Sequence, residues 1–134
     1  MIAETITLCN KLARKDSITN LDVWYKTVLH NVPYTMKKIS NVTGTTVSVG
    51  QTFMILLPFD GIYKPYDEWI KMGGQGYTLS EGDYIFMREL EEEITPNTIQ
   101  KIKNQYEPNV CEIRSIVEVS DSPNINYRFK IEGV

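Results

Sequence analysis

Apolar and polar positions alternate most regularly near the end of the chain. Ile125, Tyr127, Phe129 and Ile131 take turns with Asn126, Arg128, Lys130 and Glu132, the period of two that a half-buried strand requires. Upstream, Cys111, Ile113, Val117 and Val119 alternate with Glu112, Arg114 and Glu118, and the turn formers Ser120, Asp121, Ser122, Pro123 and Asn124 separate the two runs. This pattern predicts an antiparallel hairpin. Val23–Tyr34, with Trp24, Tyr25, Val28, Leu29 and Val32, is rich in β-branched and aromatic residues and predicts another strand. Thr45–Val49 alternates weakly after the turn signal Thr43-Gly44. Thr52–Leu57 and Asp83–Arg88 are short continuous apolar runs, the pattern of strands buried on both faces. Thr5–Leu12 fits a strand or a helix, with Thr5-Ile6-Thr7 favouring the strand.

Two short helices complete the pattern. Thr95-Pro96 offers an N-cap followed by proline at the first helical position, and Ile99, Ile102 and Tyr106 then share one face, with Lys101 and Lys103 toward the C-terminal end. Pro65–Met72 places Asp67 and Glu68 early, Trp69 and Ile70 inward, Lys71 late and Gly73-Gly74 as a stop. Helices this short need tertiary packing to persist. Strand after strand with short helical inserts and no βαβ alternation predicts a mainly β, single-domain barrel or sandwich over residues 1–134, with a glycine-rich insert at about 59–82.

Composition narrows the function. At 134 residues, with 42% hydrophobic and 23% charged residues, the chain suits one folded domain rather than a disordered tract. The net charge of −3 excludes a polycation, and Lys37-Lys38 and Arg14-Lys15 are the adjacent basic pairs. No apolar run approaches the ~20 residues of a membrane-spanning helix, and Met1-Ile2-Ala3-Glu4 does not open a signal peptide. Synthesis in the cytoplasm is the expectation. In that setting Cys9 and Cys111, far apart in sequence, are expected to be buried reduced thiols.

The residues that could carry chemistry are sparse. His30 is the single histidine, so most acid–base dyads and His-based metal sites are excluded, and no G-x-S-x-G elbow is present; a pair of His30 with Cys9 or Cys111 stays open, supported by nothing beyond the count. The expectation is no enzyme, no catalytic residue, no metal and no cofactor. Glu89, Glu91, Glu92 and Glu93 form the densest acidic run; it lacks the spacing of a calcium loop and reads as a solvated face or an acidic docking interface. Gly73, Gly74 and Gly76 lack the Lys and hydroxyl residue that a phosphate loop needs, because Tyr77 and Thr78 follow, so a flexible loop tip is expected there. Tyr63, Tyr66, Trp69 and Tyr77, with Lys64 and Lys71, cluster around those glycines. Such rings stack on bases in single-strand binders, yet with only two cations nearby a protein–protein interface is the better reading.

The order of elements resembles that of small head–tail joining proteins of tailed bacteriophages that infect Firmicutes, closest to an uncharacterised phage family. The similarity runs from Thr5-Ile6-Thr7-Leu8-Cys9-Asn10 through Trp24–Leu29, Phe53–Pro58 and Leu79-Ser80-Glu81-Gly82-Asp83-Tyr84-Ile85-Phe86 to Cys111–Asp121 and the final strand. The resemblance implies a structural virion protein of the neck, of the head-closure or stopper type. It implies a six- or twelvefold ring that joins portal or adaptor proteins to tail proteins around passing double-stranded DNA, with no membrane partner. A tail-terminator or tail-completion role is the alternative within that class, and a single-stranded nucleic-acid-binding module is the alternative outside it. The stopper type implies a mobile loop in the channel. The insert, at Gly61–Gly82, is one candidate and is expected to be removable without loss of the fold. The stretch of Lys37, Lys38 and Gly44 is the other.

Overall fold

Strand β1 (Ile2–Leu12) is flanked by β2 (Val23–Thr43) and β4 (Tyr84–Phe86), and β3 (Thr46–Leu57), β6 (Phe129–Gly133) and β5 (Val110–Glu118) complete a closed barrel in the order β1-β2-β3-β6-β5-β4. Every pairing between these six strands is antiparallel. Helix α1 (Tyr66–Lys71) lies between β3 and β4, and α2 (Ile99–Tyr106) between β4 and β5. The computed structural model describes residues 2–12, 23–43, 46–58, 63–73, 75–107, 109–119 and 127–134. The expected mainly β barrel with two short helices is what the chain forms.

The barrel interior is filled by Ile6, Leu8, Leu29, Val32, Phe53, Ile55, Leu57, Ile85, Cys111, Ile113, Phe129 and Ile131. A second cluster joins Cys9, Phe86 and Val110 to Leu90, Ile94, Ile99 and Ile102. Segment 90–94 and α2 therefore cover the outer wall at β1, β4 and β5, which explains why Ile6–Asn10 is buried without a break. Ile85 belongs to one cluster and Phe86 to the other, so β4 is buried on both faces, as its sequence predicts. In β3 the same expectation fails: Phe53, Ile55 and Leu57 are buried, whereas Thr52, Met54 and Leu56, on the other face, are half-buried.

Two bulges set the phase of the strands. Between the pairs Glu4↔Val32 and Ile6↔Leu29, β2 has two residues, His30 and Asn31, opposite the single Thr5. Asn31 takes φ +58° there, a left-handed conformation that asparagine tolerates better than most side chains. The Thr5 hydroxyl meets His30 Nδ1 at 3.1 Å. Between Ile113↔Gly133 and Ser115↔Glu132, β5 has the additional residue. That bulge overturns the even alternation expected for this strand: Ile116 pairs with Ile131 and packs against the core, and Val117 is 50% exposed.

Local chemistry explains the remaining junctions. Asp83 N–H donates to the Ser80 carbonyl at 3.2 Å with Gly82 at φ +93°, a turn whose third position needs glycine. The N-terminus of α2 lies later than Thr95-Pro96 suggests. Thr98 Oγ1 accepts from Thr95 N–H at 3.0 Å, holding residues 96–98 in a turn, and the helix begins at Ile99. The expected hairpin of β5 and β6 forms; residues 120–126, where its turn and Ile125 fall, lie outside the described residues.

At the closing seam, Gly133 sits where a Cβ would meet Cys111 Sγ at 2.7 Å and the Glu112 carbonyl at 3.0 Å. Gly133→Ala is therefore expected to cost about 1–3 kcal/mol by overpacking. Combining it with Cys111→Ala removes the nearest clash, so the double variant should unfold with less than the summed loss of the two single variants in urea titrations.

Candidate functional site

The three candidate regions occupy three places on the barrel. The glycine-rich insert folds back over the mouth at which β1 ends and β2 begins. Tyr63 and Tyr77 form a parallel bridge, and Lys64 N–H donates to the Tyr77 carbonyl at 2.9 Å. Inside the mouth, Asn10 Nδ2 donates to the Thr78 carbonyl at 2.6 Å and to Asp83 Oδ2 at 2.9 Å, while its Oδ1 accepts from Thr78 N–H at 3.3 Å. Thr27 Oγ1 donates to the Gly76 carbonyl at 3.4 Å. Trp69 stands edge-on to Tyr25 with centroids 5.3 Å apart, and Tyr63 lies 4.5 Å from Phe129.

This packing corrects the expectation of a removable loop. Trp69 and Tyr77 are 0% and 1% exposed, and Tyr77 belongs to the barrel core. The insert is a plug, and deleting it would open the core to water. Of the other residues singled out there, Tyr63, Lys64, Tyr66 and Gly76 are half-buried and Lys71 and Gly73 exposed. Gly74 lies outside the described residues. The four aromatic residues form two pairs, Tyr63 with Tyr77 and Tyr66 with Trp69, and do not make one open stacking surface.

The acidic run is a strap over the outer wall. Leu90 is buried beneath it, while Glu89, Glu91 and Glu93 are exposed and Glu92 half-buried. Lys26 Nζ donates to the carbonyls of Leu90 at 3.0 Å and Glu92 at 2.9 Å. Thr7 Oγ1 donates to the Arg88 carbonyl and accepts from Leu90 N–H. The Tyr106 hydroxyl donates to Glu92 Oε1, which holds that carboxyl below its ordinary range and raises the phenol. The strap fastens α2 and still presents three carboxylates to solvent.

The stretch with Lys37 and Lys38 is a two-stranded ribbon, not the expected loop. Pairing of β1 with β2 ends at Ile2↔Tyr34, and pairing of β3 with β6 begins at Phe53↔Gly133. Beyond those points β2 and β3 pair only with one another among the described residues, from Lys37↔Thr52 to Thr43↔Thr46. The two runs that the sequence suggests, Thr45–Val49 and Thr52–Leu57, are one strand through Gly50, which pairs with Ile39. Seven residues of β2, Lys37–Thr43, extend this arm by about 24 Å at ~3.4 Å per residue. Gly44 lies outside the described residues. None of the 17 acidic residues falls between Asp22 and Asp60, so β2 and β3 carry no carboxylate, and β2 carries the lysines Lys26, Lys37 and Lys38.

A groove of about 460 Å³ opens beside the plug, between Lys11, Trp24, Tyr66, Glu81, Tyr84 and Glu112. Asp83 lies beneath it, 2% exposed, with its oxygens bonded to Asn10 and to Lys11 N–H at 3.1 Å. Burial raises its carboxyl from 3.8 to about 6, against the opposing effect of those hydrogen bonds. Both thiols are buried and free, as expected, and burial pushes each up to about 12. The polar plug contacts escape a sequence reading, although Asn10 gave a sign of them: it stands in phase with the inward Ile6 and Leu8.

Together these elements define a small closed-barrel protein with a plugged mouth and a projecting two-stranded arm. The whole chain, residues 1–134, matches the family described as "Family of unknown function (DUF6751)", and it belongs to that family. No curated protein and no solved structure matches it. Among the described residues, no three or more His, Cys, Asp and Glu could together hold a metal ion, and no helix is long and apolar enough to cross a membrane.

Two outcomes follow from the plug. Trp69→Ala should destabilise the fold by about 3–5 kcal/mol, whereas Trp69→Phe, which also removes the unpartnered buried Nε1, should cost much less in chemical denaturation. Because the Asp83 carboxyl is raised on folding, its contribution to stability is complete below about pH 4 and is lost as pH rises through about 6. The difference between wild-type and Asp83→Asn melting temperatures should change across that window and be flat above it.

Proposed function

We propose that this chain is a structural virion protein of the bacteriophage head–tail connector, a head-closure ring subunit made in the host cytoplasm. The observation that supports it best is the combination of a closed barrel with an arm that leaves the barrel as paired strands. A subunit that joins larger bodies needs a rigid block and separate adhesive surfaces, and a closed ring needs two different faces on each copy. The barrel supplies the block. The arm and the acidic strap, one basic and one acidic, supply surfaces of different character. Function then lies in shape and contact, with no bond made or broken.

The same geometry would serve a tail-terminator or tail-completion protein, and the choice of head closure comes from the sequence resemblance. The single-strand nucleic-acid reading loses support, because burial of Trp69 and Tyr77 withdraws two of the four rings it requires.

Mass spectrometry of DNA-filled heads purified apart from free tails tests this reading. The protein should be found on the heads; its presence only on free tails would transfer it to the tail-terminator role, and its absence from both would remove the neck role. Replacing Lys37–Thr52 by Asn-Gly, a two-residue hairpin turn between the paired Met36 and Phe53, should leave thermal unfolding of the barrel cooperative. The particles assembled with that variant should lose DNA or fail to join tails.

A further inference from the structure

The closed sheet leaves few places where a strand from another molecule can add. In the barrel each strand has a partner on both sides. Among the described residues, the longest unpaired ladder edges of the sheet lie on the arm: the outer edge of β2 over Thr35–Thr43 and the outer edge of β3 over Thr46–Thr52; shorter ones flank the three-residue β4, on β1 over Ile2–Ile6 and on β5 over Arg114–Glu118. The strand ends Leu12, Val23, Leu57, Glu118 and Phe129 all lie toward the opposite mouth of the barrel, as the registers Leu12↔Val23, Leu57↔Phe129 and Glu118↔Phe129 require.

An isolated two-stranded ribbon is marginally stable in water, and exposed edges are normally blunted by charge, proline or a covering element. Among the described residues, the β3 edge has none of these defences. From Thr46 to Thr52 it reads Thr-Val-Ser-Val-Gly-Gln-Thr, without a charged residue or a proline, and is rich in strand formers. The β2 edge differs, because it carries Lys37 and Lys38.

We propose that the arms of neighbouring copies pair edge to edge, β2 of one arm against β3 of the next, as one continuous antiparallel sheet. The occupant of each edge is thus a second copy of this chain. The charges favour this arrangement over pairing of two β2 edges. Two β2 edges paired antiparallel in a register centred on Lys37 and Lys38 would set those lysines against one another, where like charges disfavour pairing. A β2 edge against a β3 edge brings the lysines to a neutral row of hydroxyl, amide and valine side chains. Strand direction also agrees, since β2 and β3 of one arm are antiparallel and rotated copies repeat the alternation up, down, up, down. Each copy uses one edge of each kind, so the contact is head-to-tail and ends only when a ring closes. The inference deepens the ring reading above by naming its interface.

Disulfide scanning of the full-length protein tests it. Single cysteines placed in turn from Lys38 to Thr43 are mixed, under oxidation, with chains carrying Val47→Cys, Ser48→Cys or Val49→Cys. Buried Cys9 and Cys111 contribute no background. A disulfide needs Cα atoms within about 7 Å, less than two strand spacings of ~4.8 Å, so only adjacent strands are joined. Covalent dimers should form in a register-dependent subset of mixtures, several-fold above either variant alone. Dimers formed equally well by one variant alone would mean like-edge pairing, and no dimers in any mixture, even at millimolar protein, would mean no pairing; either result overturns the proposal. So would arms that stay unlinked but whose cysteines become shielded from maleimide when duplex DNA is added, which assigns them to nucleic acid. Failure here with the protein present on filled heads removes only the arm interface, while linked arms in a protein absent from particles remove only the neck role.

Discussion

Pairing of β3 with β6, from Phe53↔Gly133 to Leu57↔Phe129, is the contact on which the architecture turns. It closes the sheet, seals the row of Phe53, Ile55, Leu57, Phe129 and Ile131 inside, and fixes how much of β3 belongs to the barrel. Backbone donors and acceptors buried without partners are costly, and closure removes that cost for the barrel as a whole. Because β6 is five residues long and β3 is twelve, the mismatch leaves the first part of β3 with only β2 for company. The arm is a direct result of that inequality in strand length.

The plug resolves the other constraint. A small barrel filled by large apolar side chains must still exclude water at its ends, and here polar groups do part of the sealing. Asn10 imitates a strand neighbour by exchanging hydrogen bonds with the backbone of Thr78, and in the same place it steadies the Asp83 carboxyl. Trp69 and Tyr77 then supply the apolar bulk. Fixing the insert in this way places Tyr66 and Glu81 on the rim of the groove.

How much of this could be read from the residues depended on how local each cause was. The β5–β6 hairpin, α2 and the turn at Ser80–Asp83 have near neighbours in sequence as their partners, and periodicity or turn chemistry marks them. The bulge in β5 breaks the alternation, because nothing in Arg114-Ser115 announces an added residue. The arm was hidden by Gly50, a residue that usually ends strands yet here pairs within one. Trp69 was legible as an inward helix position, whereas burial of Tyr77 was hidden by the glycines beside it, which suggest an exposed loop. Closure itself joins residues some 75 positions apart, and no local pattern reports so distant a partner. For the candidate surfaces, the acidic strap and the lysine pair were visible as charges, but their roles as a fastening and as part of a ribbon were not.

The order in which the strands leave the ribosome gives the closing seam one more consequence. The β2–β3 ribbon consists of contacts between near neighbours in sequence, whereas the barrel waits for β6, the last strand in chain order. Local hairpins form quickly, and long-range β pairings form slowly. The ribbon, marginally stable by itself, can therefore form and reopen before the body that holds it exists, so the nascent chain faces an interval in which exposed strand edges precede the closed barrel. Rapid completion of the chain, low local concentration or a chaperone acting in that interval would favour correctly closed subunits.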